Sequence, residues 1–366
     1  MGLDFINLKK NLLGPEYANR YEEKVKELNI EYMLNTMVLD ITDEKEITVI
    51  NPEKGIFTIN AKAVILAMGC RERSKGALNI AGTRPSGIYS AGAAQKIVNI
   101  KGYLPGKEVV ILGSGDIGLI MARRMTLEGS KVKAVCEVMP YSGGLARNIE
   151  QCLNDFNIPL KLSHTVVGIH GKERLEGVTI AKVDENRKPI EETKEYIKCD
   201  TLLLSVGLIP ENELSKKADI ELSAVTSGAI VDQDRQTTKD GIFACGNVLH
   251  VHDLVDYVSE EAELAGKAAA EYINNENRKS NVNLKIVTDG NIRYTVPQIV
   301  TKIKDFKIFY RVYNIYENCD LILRDSEKEL LKLKKRKLVP GQMEKIDIKS
   351  KMLKNILGDT IYIELK

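Results

Sequence analysis

The sequence predicts an α/β fold built on parallel sheets, followed by a smaller β-rich region. Three observations carry that prediction. Residues 109–118, VVILGSGDIG, run from an apolar strand through a glycine turn into a helix. Two more nearly all-apolar runs, 61–68 (AKAVILAM) and 200–205, lead into Gly69 and Gly207, the pattern of strands buried on both faces. From about residue 281 apolar and polar residues alternate, and helix signals fade.

Taken in order, residues 15–29 place apolar side chains at helical spacing, with Pro15 in the first turn. Short strands are expected at 31–40, 46–50 and 55–59, with Asn51-Pro52 turning between the last two. After the strand at 61–68, a loop with Gly76, Gly82, Pro85 and Gly87 leads to a helix near 91–98. Strand 108–112, helix 116–128 and strand 131–137 form one βαβ unit, followed by a helix near 145–156. Strands around 161–169 and 177–184 read as a hairpin or meander. Strand 200–205, a short strand at 241–245 and a long Ala- and Glu-rich helix at 254–274 complete this part. Further strands are expected at 307–312, 320–323 and 360–365. There is no internal repeat and no low-complexity segment.

At about 150 residues per domain, 366 residues make two or three domains. The 53 Lys and Arg against 51 Asp and Glu leave a net charge of +2, which gives no reason to expect a nucleic acid or membrane partner. A 43% hydrophobic and 28% charged composition is that of an ordinary soluble globular protein. Residues 1–14 carry Asp4, Lys9 and Lys10 without a continuous apolar core, so they read as no signal peptide. Ile6 stands where a myristoylation site needs Ser or Thr, and no apolar run approaches the roughly 18 residues of a membrane span. A cytoplasmic, reduced protein is expected. The six cysteines include no C-x-x-C, which excludes a local zinc ribbon or dithiol.

Gly113, Gly115 and Gly118 make G-x-G-x-x-G between strand and helix. Glycines are needed there for a tight turn, for close backbone approach to a pyrophosphate, and for close helix–strand packing. The helix start then offers free N–H groups to the phosphates. Glu137 closes the next strand, where its carboxylate can accept the ribose hydroxyls and repel a 2′-phosphate, so NAD is favoured over NADP.

Around that motif the chain resembles the two-dinucleotide flavoproteins, the pyridine nucleotide–disulfide oxidoreductase type, over roughly residues 15–275. AVILAMG (63–69), LLLSVGLIPENEL (202–214) and GIFACGN (241–247) carry the likeness. Within that family it resembles the branch of opine oxidase and hydrogen cyanide synthase subunits, and oxidoreductases that accompany anaerobic glycerol-3-phosphate dehydrogenase. The resemblance implies two Rossmann-like dinucleotide-binding domains plus a small C-terminal β domain. The FAD-type domain would comprise 1–100 and 215–280, the NAD-binding domain 101–214, and the β-rich domain 281–366. It implies NAD contacts from Gly113, Ser114, Gly115, Asp116, Ile117, Gly118, Glu137 and Gly207, and FAD contacts from Ala67, Gly69, Gly246 and Asn247. The implied activity is an NAD(P)/FAD-dependent oxidoreductase passing a hydride between nicotinamide and flavin. Electrons would continue to a partner redox subunit or small iron–sulfur protein.

Two departures from the family pattern stand out. Asn247 replaces the usual Asp, and can still hydrogen-bond a ribityl hydroxyl. No strand–glycine turn–helix unit precedes Gly69, so the FAD-type domain reads as truncated at its N-terminus. The chain alone is therefore expected to bind FAD weakly or not at all, and, with a strand edge and part of an apolar face exposed, to self-associate or depend on another polypeptide. The alternative is an NAD-binding module or non-catalytic subunit without FAD. No catalytic dyad or triad is present, and the cofactors would carry the chemistry. Cys70, Cys136, Cys199 and Cys245 read as small packing residues. His250, His252 and Asp253 follow the second FAD-type segment and read as packing or cap residues, with a place near the flavin as the alternative. KLKKRK (332–337) reads as a solvated strand or loop rather than a patch for an acidic partner.

Overall fold

A computed structural model describes residues 5–7, 10–12, 14–274, 282–354 and 356–366, the first two segments by their backbone alone. Much of the segment read for targeting and the expected boundary at 280/281 lie outside the described residues. The chain divides into two compact units, the first of Met1–Cys70 with Pro210–Lys366, the second of Arg71–Ile209.

The second unit is built on a five-stranded parallel sheet. Its order is Leu160–Leu162, Lys131–Glu137, Glu108–Leu112, Thr201–Leu204, Ile88–Ser90. Alternation along Glu108–Leu112 sends side chains to both faces. Val109 and Ile111 pack with Leu119, Met121 and Met125 of helix Asp116–Leu127, while Val110 and Leu112 pack with Val166, Val178 and Ile180. That latter face is covered by an antiparallel meander of His164–His170, Gly177–Lys182 and Glu195–Lys198.

The expected boundary at 101 differs from the one observed, because strand Ile88–Ser90 pairs with Thr201–Leu204 and helix Ala91–Asn99 packs on the same core. Neither Ile88–Ser90 nor Glu195–Lys198 is expected from the sequence. Each is only three or four residues long and carries no alternation long enough to recognise. The strand expected at 161–169 breaks in two at Ser163, whose φ is 53°.

In the first unit, Val64–Leu66 pairs in parallel with Ile242–Ala244. Among the described residues these two strands form a sheet by themselves. Met37–Ile41, Glu46–Asn51 and Gly55–Asn60 make an antiparallel meander. The strand expected at 31–40 begins only at Met37, since the chain turns just before it, with Asn35 at φ 52°. Helix Val255–Ile273 runs along the small parallel sheet, and Ala265, Ala268 and Ala269 pack under Phe243.

The C-terminal region forms a five-stranded and a three-stranded sheet around one apolar core that includes Leu284, Ile308, Leu323 and Ile363. Val296 of this region also joins the core around Val64 and Ile242, which is why 281–366 falls in the same unit as the parallel pair. The KLKKRK run lies in the edge strand Glu329–Leu338, paired with Tyr316–Arg324. Its lysines meet carboxylates: Lys332 with Asp320, Lys335 with Glu344, Lys337 with Glu317. A solvated strand is what the structure shows. Among the described residues no helix is long and apolar enough to cross a membrane.

Candidate functional site

In the second unit the chain steps from Glu108–Leu112 outward through Lys131–Glu137 to Leu160–Leu162, then returns to Thr201–Leu204 on the other side of Glu108–Leu112. That reversal is where open α/β sheets bind ligands, beyond the carboxyl ends of the strands. Residues 113–118, Glu137 and Gly207 all lie at that end.

The three glycines of the turn have different reasons to be glycine. A Cβ on Gly113, whose φ is 101°, would stand 2.0 Å from the Ser205 carbonyl oxygen. One on Gly118 would stand 2.4 Å from the Gly113 oxygen. Packing therefore demands both. Gly115 has an ordinary extended conformation (φ −66°, ψ 164°), and a Cβ there meets nothing within 4 Å. Among the described residues nothing requires glycine at 115, and the space beside it is open to a closely approaching group. Gly115 is the N-cap of helix Asp116–Leu127, whose first-turn amides have no acceptor within the helix.

Glu137 is buried and organises the turn from within. Its Oε2 accepts from the Ser114 amide (2.9 Å) and hydroxyl (2.8 Å), and its Oε1 accepts from Met139 N (3.0 Å). The Ser114 amide is thus spent inside the protein, while Oε1 keeps acceptor capacity for a hydroxyl. The loop that follows folds back on the turn: Ser142 Oγ donates to the Ser114 carbonyl, and Gly143 N donates to Ser114 Oγ. Sequence spacing did not single out Ser142 or Gly143. Asp116 Oδ1 accepts from Leu145 N and Asn148 Nδ2, so its side chain ties two helices together. Ile117 is exposed beside it, and Gly207, at φ 100°, is also exposed.

In the first unit, Ala67 and Gly69 follow one strand of the parallel pair, and Gly246 and Asn247 follow the other, at the same end. Ala67 is exposed, and Gly69 holds φ 75° with its carbonyl accepting from Glu211 N. Gly246 holds φ 73°. Asn247 Oδ1 accepts from His252 N (3.0 Å), so what it can offer a ligand hydroxyl is its amide Nδ2.

The histidines converge on a residue that sequence reasoning missed. Glu261 lies on the buried stripe of helix Val255–Ile273 with Ala265 and Ala268. Its Oε1 accepts from Arg235 Nε (2.7 Å) and faces His250 Nε2 (3.2 Å). Its Oε2 accepts from Gly246 N (2.8 Å) and faces His252 Nε2 (3.0 Å). All four side chains are essentially inaccessible to water. Burial pushes His250 down to about 4, so it is neutral at neutral pH. Burial by itself would raise the Glu261 carboxyl. The Arg235 guanidinium and the hydrogen bonds from both histidines outweigh it and hold that carboxyl well below the usual range. A charged residue at 261 within an alanine stripe was the available sequence signal.

The cysteines pack as expected: Cys136, Cys199 and Cys245 are buried, and Cys70 is partly so. Burial raises the first two thiols to about 12 and Cys245 to about 11, which keeps them protonated.

A parallel sheet with an uncrowded glycine turn at its switch point and an acid ending the next strand is the architecture of an α/β protein of Rossmann type. Residues 6–271 match the pyridine nucleotide-disulphide oxidoreductase family, and the chain belongs to that family. It is 25% identical over 224 residues to an opine oxidase subunit of Agrobacterium tumefaciens, covering 58% of this chain and 43% of that protein. It is 24% identical over 282 residues to the hydrogen cyanide synthase subunit HcnB of Pseudomonas aeruginosa, covering 70% of this chain and 59% of that one. The chain thus spans about half the length of these curated relatives. Thioredoxin reductase of T. acidophilum shares the fold, with a TM-score of 0.58 and 22% identity over 74% of this chain and 83% of its own.

Proposed function

We propose that this chain is an NAD-dependent flavin oxidoreductase, or one subunit of such an enzyme. Gly115, Asp116 and Ile117 would bind the NAD pyrophosphate through backbone amides, and Glu137 would accept the adenosine ribose hydroxyls. Gly69, Gly246 and Asn247 would contact the flavin nucleotide. When bound, the two cofactors supply the chemistry, a hydride passing between the nicotinamide and the flavin, while the protein aligns them. Electrons would leave to a partner redox subunit or small iron–sulfur protein, in keeping with the names of two relatives, which are enzyme subunits. The observation that carries the reading is Gly115, a glycine at a position where the fold has room for a side chain.

A second reading is an NAD-binding module without FAD. It is favoured by the contrast between the five-stranded parallel sheet of the second unit and the two parallel strands described in the first. Two measurements separate these readings. The purified chain, incubated with FAD and desalted, is examined for flavin absorbance and for NADH oxidation by an artificial acceptor. Calorimetry compares NADH with NADPH, and tighter binding of NADH is expected because Glu137 repels a 2′-phosphate. Equal affinities would remove Glu137 from its assigned role, and NADH binding without retained flavin would leave the second reading.

A further inference from the structure

Residues 246–253 are gripped from two sides. From one side, Glu261 takes four donors on its two oxygens: Arg235 Nε and His250 Nε2 on Oε1, Gly246 N and His252 Nε2 on Oε2. From the other, the C-terminal β region closes over the histidines. The Phe309 ring lies 5.8 Å from His250 and 6.1 Å from His252, and Tyr294 lies 6.0 Å from His250. Arg311 of the same region donates to the Val251 carbonyl (3.0 Å) and the Gly341 carbonyl (2.7 Å) and pairs with Asp253. Asp253 Oδ2 in turn accepts from Met343 N (2.6 Å). No strand or helix of the first unit's parallel layer supplies these groups.

The three ligand-type atoms of His250, His252 and Glu261 lie within 4.8 Å of one another, a spacing a divalent metal could bridge. The charges argue against it. Arg235, 1% exposed, already balances the single carboxylate, and a divalent ion would leave two uncompensated positive charges in a fully buried site. Each carboxylate oxygen also already carries two donors. The arrangement is therefore a hydrogen-bonded hub centred on Glu261, whose four donors hold its carboxylate in one place, while Arg235 Nη1 and the Nδ1 atoms of both histidines find no hydrogen-bond partner among the described residues.

We propose that Glu261 is a positioning residue that fixes the Gly246–Asn247 turn, and that the C-terminal β region, through Phe309, Tyr294 and Arg311, holds this hub closed. The inference rests on the reading above that this turn receives the flavin nucleotide. A left-handed turn can aim its amide and the Asn247 side chain at a ligand only if its orientation is held. Here the hold comes from a carboxylate one helix away and from Phe309, Tyr294 and Arg311 of the C-terminal β region. The accessory region thereby acquires a function in ligand binding rather than in stability alone.

The test uses the full chain and two variants, Glu261→Gln and the milder Phe309→Leu, each checked for unchanged far-ultraviolet circular dichroism. Amide hydrogen exchange is followed at residues 242–253 and, as an internal reference, at 108–112. Loss of a hydrogen bond to a charged group predicts exchange at least about tenfold faster at Gly246 and neighbouring amides, with 108–112 unchanged. FAD titration should show about tenfold weaker binding in Glu261→Gln, with NADH affinity unaltered. Unchanged exchange at 246–252 in a folded Glu261→Gln chain overturns the inference, as does stoichiometric zinc or iron in the wild-type protein by elemental analysis. A wild-type chain that takes up no FAD at any concentration overturns the flavin reading instead, and the exchange result still decides the hub. If Glu261→Gln fails to fold, Phe309→Leu carries the same comparison.

Discussion

Gly115 and its two neighbours make a sharp contrast at the scale of single residues. A Val side chain at 115 fills open space at an ordinary φ, so the fold should tolerate it while the pyrophosphate loses its approach. Gly115→Val is expected to keep its melting temperature and lose measurable NADH binding by calorimetry. Gly118→Ala should do the reverse in its first effect, because the new methyl meets backbone oxygen at 2.4 Å; about 1–3 kcal/mol of stability should be lost in thermal or urea unfolding. His250 adds a pH dependence. Its folded value of about 4 lies below the ordinary value of 6.5, so between those values the unfolded chain binds a proton that the folded chain does not. Stability is then fully present above about pH 6.5 and falls by about 3 kcal/mol as pH drops to 4. Glu261, held low, acts in the same direction as pH falls through the carboxylate range. Urea midpoints measured across this window should slope in wild type and flatten in His250→Gln, and a flat wild-type profile would mean that His250 is charged in the fold.

At the scale of elements, the edge strand Glu329–Leu338 shows what a basic run can do without a partner. Its outer edge is unpaired among the described residues, and Lys332, Lys335 and Lys337 stand along it against carboxylates of its neighbours. Charged side chains on an edge discourage pairing with another chain. Exposed ion pairs of this kind add little to stability, so their value is in solubility. Replacing Lys332 and Lys337 together by Val should leave the melting temperature nearly unchanged and raise light scattering on concentration. A large drop in melting temperature with no scattering would assign these lysines to the fold instead.

At the scale of the whole molecule, the first unit leaves apolar surface uncovered by any of the described residues. Met37, Ile50 and Ile56 are direct cross-strand neighbours in the meander, and they are 66%, 38% and 66% exposed. Leu28 at 70% and Leu34 at 72% precede them in the chain. In the small parallel sheet Ile65 is 41% exposed, although parallel strands are ordinarily covered on both faces. A contiguous apolar row of this kind favours association. Sedimentation velocity should therefore show concentration-dependent species larger than a monomer, and Met37→Lys with Ile56→Lys should shift them to monomer. A wild-type chain that sediments as a monomer at every concentration would exclude self-association through this face.

What was legible in the sequence was local. The spacing of Gly113, Gly115 and Gly118, the apolar strand before them and the acid closing the next strand are set within one βαβ unit, where turn sterics and side-chain period act over a few residues. The parallel strands were legible for the same reason, as apolar runs ended by glycine, and the long helix as a run of Ala and Glu. Tertiary structure decided the rest. Glu137 turned out to brace Ser114, and the three-residue strand Ile88–Ser90 exists only because a partner far along the chain completes it. Glu261 takes its meaning from Arg235, Gly246, His250 and Phe309, residues that no sequence spacing connects. Periodicity reports which side of an element is buried, but a buried charge is stable only with partners that folding brings from elsewhere, and those partners are known only from the packed structure.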